Sequence, residues 1–87
     1  MHTWRGRILR FTNAAYWELY KHGLSPEDVI DVLDNGYDFP GKQRSEGIYE
    51  KCLRKGCEII KVVVAESYSF DIKETVWAVV HVMVVRT

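Results

Sequence analysis

Leu24-Ser25-Pro26-Glu27-Asp28-Val29-Ile30-Asp31-Val32-Leu33-Asp34-Asn35-Gly36 decides how the rest of this chain is read. Ser25 is a helix N-cap, Pro26 takes the first helical position, where a missing N–H costs nothing, and Asp28 faces the positive helix end. Leu24 and Val29 have the spacing of a hydrophobic staple. Val29, Ile30, Val32 and Leu33 form one apolar stripe, and Asn35-Gly36 ends the helix. Glu27, Asp28, Asp31 and Asp34 line its other side as a solvated face. Toward the N-terminus, Thr12 caps a second helix over residues 13–22. Phe11 and Tyr16 supply its staple, and Gly23 stops it in the left-handed conformation. Residues 4–11 read as one short edge strand with Ile8 or Leu9 turned inward.

Beyond the helices the pattern changes to β. Tyr37-Asp38-Phe39-Pro40-Gly41 reads as a turn. Strands follow over residues 48–53 and 58–66, joined by an Arg54-Lys55-Gly56 hairpin loop. A polar loop near residues 67–74 leads to a last strand over residues 76–85, which is apolar on both sides and therefore placed centrally. The order β-α-α-β-β-β defines an α+β fold, with two helices packed on one face of a mostly antiparallel sheet. One domain spanning residues 1–87 is expected.

Size and composition limit what such a domain does. Folding an 87-residue chain reduces roughly 14,800 Å² of accessible surface to roughly 5,300 Å², enough for one core but not for an enclosed cofactor cavity. A hydrophobic share of 47% with 28% charged residues excludes disorder. Twelve basic residues balance twelve acidic ones, which counts against a simple nucleic-acid binder. The balance is uneven along the chain. Residues 1–17 carry three Arg and no acid, residues 18–38 six acids against Lys21, and residues 39–61 six basic residues against three acids. The basic residues near the N-terminus precede no apolar run, so no signal peptide is expected. The apolar run of residues 76–85 is about half a membrane span. A cytoplasmic protein without membrane contact is the expectation.

Strong catalytic motifs are absent: no Walker loop, dinucleotide fingerprint, nucleophile elbow, HExxH or paired CxxC occurs. Cys52 and Cys57 would face each other across a four-residue hairpin loop, where a disulfide is geometrically conceivable. Free thiols are the favoured reading. With His81 they make three metal ligands at most, so neither a metal nor a cofactor is expected. Alternation of side chains carries more information. Ile60, Val62 and Val64, with Val76, Ala78, Val80, Val82 and Val84, form smooth apolar rows for the helix-covered side. Lys61, His81 and Trp77 then share the uncovered side, which Tyr49 and Lys51 can join. Cations, a histidine and aromatics there can hold a phosphodiester, stack a base and move a proton. Each also has a plainer role. His81 suits a hydrogen-bonded core histidine, and Lys61 a solvated strand lysine. His22 favours its helix C-terminus, and Arg44, Lys51, Arg54 and Lys55 serve either as a phosphate patch or to solubilise the hairpin.

Thr12-Asn13-Ala14-Ala15, then Lys21-His22-Gly23-Leu24-Ser25-Pro26-Glu27-Asp28-Val29 and Val32-Leu33, resembles a family of small uncharacterised domains related to the BrnT toxins. That family belongs to the RelE/ParE-like toxin superfamily, whose strand-helix-helix-three-strand layout matches the order above. The resemblance covers residues 10–33 by motif and extends to residue 85 by strand pattern. The family's usual Thr-x-His-Ala has Ala14 at its histidine position here, and Glu18 and His22 stand where its first helix carries arginines. The resemblance implies RNA as substrate, metal-independent cleavage through attack of the 2′-OH on the adjacent phosphate, and an antitoxin as partner. In that reading His81 is the acid or base, and Lys61 and Lys51 stabilise the phosphate. Arg44 contacts the RNA backbone, Arg54 and Lys55 add to RNA binding, and Tyr49 or Trp77 stacks a base. The alternative is a non-catalytic module on the same fold, which dimerises or binds a protein through its open sheet face. The missing His and Arg and the absent positive charge favour it.

Overall fold

A computed structural model describes residues 2–38 and 46–86; Arg44 lies outside them. The elements are β1 (Thr3–Trp4), β2 (Arg7–Phe11), α1 (Asn13–His22), α2 (Pro26–Asn35), β3 (Tyr37–Asp38), β4 (Ile48–Lys55), β5 (Glu58–Ser69) and β6 (Glu74–Arg86). The fold is α+β, with a mixed six-stranded sheet ordered β1-β2-β6-β5-β4-β3. Only β2 and β6 run parallel among these pairs.

The cap chemistry of the sequence appears as expected. Thr12 Oγ1 accepts the Ala15 amide at 3.1 Å and Gly23 closes α1 at φ 66°. The Phe11 and Tyr16 rings of the staple lie 5.3 Å apart. Ser25 and Asp28 form a reciprocal capping box on α2. Thr12 does more than cap: its hydroxyl also donates to the Val79 carbonyl at 3.1 Å, fastening the start of α1 to β6. The end of α2 is fastened by close approach. At Gly36 a Cβ would lie 2.3 Å from the Val32 carbonyl oxygen and 2.5 Å from that of Cys52, so only glycine fits.

Several boundaries differ from the sequence reading. Residues 4–11 are not one strand: the chain reverses at Arg5-Gly6, with Trp4 paired to Arg7. Both turn residues have positive φ, 50° and 74°, as a primed two-residue hairpin turn requires. Tyr37-Asp38 pairs with Cys52 and Lys51 as β3 rather than forming a turn, and residues 39–41 lie outside the described residues. The β4–β5 loop holds two residues, Gly56-Cys57, because Lys55 pairs with Glu58.

One core cluster joins Ala15 and Leu19 of α1, Val29, Val32 and Leu33 of α2, and Ile60, Val62, Val64, Val79 and Val82 of the sheet. The sheet curls. Although β1 and β4 are separated by three strands, Trp4 reaches the Tyr49 ring at a centroid distance of 5.8 Å and closes one end of the core. Among the described residues no helix is long and apolar enough to cross a membrane.

Candidate functional site

Register decides which side each nominated side chain occupies, since directly paired residues share a sheet face. Val63 pairs with His81 but Val64 pairs with Val79, which leaves Val80 as an extra residue in β6. This bulge moves the alternation by one position. Val82 and Val84 therefore face the core, as expected, but so do Val79 and Trp77 on the near side of the bulge. Trp77 is thus a correction: it is buried in the core, not displayed on the opposite side.

Tyr49 and Lys51 are corrected on the same ground. Tyr49 pairs with Val64 and Lys51 with Val62, both core-facing residues. The Tyr49 ring packs 5.4 Å from that of Trp77. Lys51 runs to the edge of the sheet, where its Nζ meets Asp38 Oδ1 at 2.7 Å. That contact holds the Asp38 carboxyl below the usual carboxylate range. Cys52 pairs with Lys61 rather than Cys57, which sits exposed in the hairpin loop, and the two form no disulfide. Burial pushes the Cys52 thiol up, and the nearby Glu50 charge adds to the shift.

Lys61 and His81 do share the side away from the core, together with Glu50, Cys52 and Met83. That side is not bare. Glu50, Cys52 and Val63 are buried, and Lys61 Nζ lies 3.5 Å from Glu50 Oε1. The nominated triad of His81, Lys61 and Lys51 is therefore divided between two faces. Both lysines already lie against carboxylates.

The basic hairpin is similarly occupied. Lys55 bridges to Asp31 at 2.6 Å and Asp28 at 3.6 Å. Both carboxyls are held down, Asp28 chiefly through the Ser25 amide and Asp31 chiefly through Lys55 itself. Asp31 in turn raises Lys55. Arg54 Nε donates to the Gly56 carbonyl at 3.2 Å. His22, placed at the end of α1, pairs with Glu18 at 3.3 Å.

Two features escaped the sequence reading. At the β1–β2 turn, the Arg5 guanidinium lies 4.4 Å from the Trp4 ring and 4.9 Å from the Tyr49 ring, while Arg7 covers Trp77 and pairs with Glu66 at 3.1 Å. The Arg5-Gly6 dipeptide between short flanks was its legible signal. On α1, Tyr16, Trp17 and Tyr20 are 53%, 69% and 80% exposed. Their spacing with Asn13, at i, i+3, i+4 and i+7, marks a second face of the helix, and that spacing is the signal the sequence carries for it.

Comparison with protein-family models, with curated proteins and with solved structures found no match to this chain.

Proposed function

We propose that this chain works by binding, as a non-catalytic interaction module on a RelE/BrnT-like fold. The observation that carries this reading is the outward aromatic face of α1, beside nominated catalytic groups that do not converge. A helix apolar on both sides is normally covered on both, and α1 has only its Ala15 and Leu19 side in the core. The proposed kinship with the toxin superfamily rests on the helical motif and on helices preceding the β4–β5–β6 meander. Loss of the family's His and Arg at Ala14, Glu18 and His22 accords with a domain that kept the fold and lost the chemistry.

A second reading, a metal-independent ribonuclease paired with an antitoxin, is favoured by one observation. Glu50, Lys61 and His81 stand on the same sheet side, and such a set can supply a base, an acid and a phosphate contact. Incubation with RNA and retention on immobilised RNA at rising salt distinguish the two. The binding reading expects neither cleavage nor strong salt-sensitive retention. Cleavage by the wild type that disappears in His81→Ala, with folding intact, would establish the nuclease instead.

A further inference from the structure

Beyond the binding reading above and independent of it, we infer that the outer side of the β5–β6 hairpin holds a small zwitterion, an α-amino acid with an apolar side chain. Register builds the site. Arg10 pairs with Ala78 and Ser67 with Val76, and alternation carries Ser69 to the same side of the sheet, away from the core. These side chains line an open pocket of about 310 Å³, near the lower end of small-molecule sites. Along β5 it lies about 20 Å from Lys61, so the nominated catalytic groups are not part of it.

The polar groups of this pocket are poorly used within the chain. Ser69 is only 8% exposed, yet among the described residues neither its hydroxyl nor that of Ser67 has a hydrogen-bond partner. A buried hydroxyl left unpaired is unfavourable, and a polar ligand here relieves it. At the rim, Arg10 Nη1 stands 3.7 Å from Asp71 Oδ2, and the Asp71 side chain is 86% exposed. So long and exposed an ion pair contributes little, and it leaves most of the guanidinium N–H donors free.

The adjacent acid and base choose the ligand. An ion of one sign is attracted by one of them and repelled by the other. An α-amino acid carries both charges on one carbon and satisfies both, with its carboxylate at Arg10 and its ammonium at Asp71. The same two groups offer an acceptor and a donor to the Ser67 and Ser69 hydroxyls. For the apolar side chain the pocket supplies Val76, Ala78 and the Phe70 ring. Phe70 is 83% exposed, and its ring meets that of Tyr68 edge to face at 5.0 Å. This aromatic wall is therefore in place before a ligand arrives, which lowers the entropy lost on binding.

Titration of the full chain with L-phenylalanine, followed by amide chemical shifts, tests the inference. Saturable shifts are expected at Ser67, Ser69, Phe70 and Asp71, with dissociation about millimolar for so small a ligand. Hydrocinnamate, which lacks the ammonium, and phenethylamine, which lacks the carboxylate, each bind about tenfold more weakly. Two variants separate the roles. Arg10→Gln weakens L-phenylalanine without weakening phenethylamine, and Asp71→Asn weakens L-phenylalanine without weakening hydrocinnamate. Both side chains are exposed, so circular dichroism stays unchanged. Should either variant lose its fold, the two analogues on the wild type decide. The inference is overturned if no saturable shifts occur in this segment, if either analogue binds as tightly as the amino acid, or if both variants bind L-phenylalanine like the wild type.

Discussion

The two helices have the same length and each begins at a hydroxyl cap, yet their outer faces are opposites. Outside its core stripe, α2 shows carboxylates, and Asp28 and Asp31 are tied to Lys55 of the β4–β5 hairpin. That is how a helix finishes its contacts within one chain. Outside its own core stripe, α1 shows Tyr16, Trp17 and Tyr20, each more than half exposed, with Tyr16 against Phe11 of β2. The difference separates a helix completed inside the fold from one whose outer face suits a partner.

Variants at the helix ends probe this comparison most severely. Gly36→Ala drives a Cβ into two backbone carbonyls and is expected to cost about 3 kcal/mol. Gly23→Ala meets no atom within 4 Å and suffers only from its left-handed backbone, at about 1 kcal/mol. Urea unfolding of the two variants measures both. Equal losses would mean that the end of α2 is not pinned against β4.

At the starts of the helices the order reverses. Thr12→Ala removes both a cap and a hydrogen bond to Val79 of β6, for about 2 kcal/mol. Ser25→Ala removes a cap and an exposed hydroxyl bond to Asp28, both local to α2 and neither reaching the sheet, for about 1 kcal/mol. A larger loss for Ser25→Ala in thermal unfolding would contradict the fastening of α1 to the sheet.

The smallest effect belongs to Lys55→Gln, since exposed ion pairs contribute little. Its sign is definite. Asp28 and Asp31 titrate below their ordinary value, so their contribution is present above the usual carboxylate range and is lost as pH falls through the depressed values. The raised Lys55 contributes below its ordinary value and is lost as pH rises through its folded one. Stability of wild type and variant, followed against pH, should therefore differ near neutrality and converge in acid. A constant gap down to strong acid would rule out the Lys55 tie.

Much of this was legible in sequence because caps are local chemistry. Thr12, Gly23, Ser25 and Asp28 each act on residues within about one helical turn, so spacing alone identifies them. Sheet faces are different. The run from Val76 to Val85 is apolar on both sides, so its pattern has no phase that a bulge at Val80 would visibly break. Trp77 consequently changed sides. The β4–β5 pairing turned on the hairpin loop, where Gly56-Cys57 rather than a longer loop sets Tyr49 against Val64. The aromatic face of α1 was readable from its spacing, but its exposure was not, because an aromatic stripe at helical period reads equally well as core.

Acrylamide quenching of tryptophan fluorescence tests most directly whether α1 presents an open aromatic face. The account predicts strong quenching in the wild type that is largely lost in Trp17→Phe, because Trp4 and Trp77 are buried. Quenching that is unchanged in Trp17→Phe would contradict it.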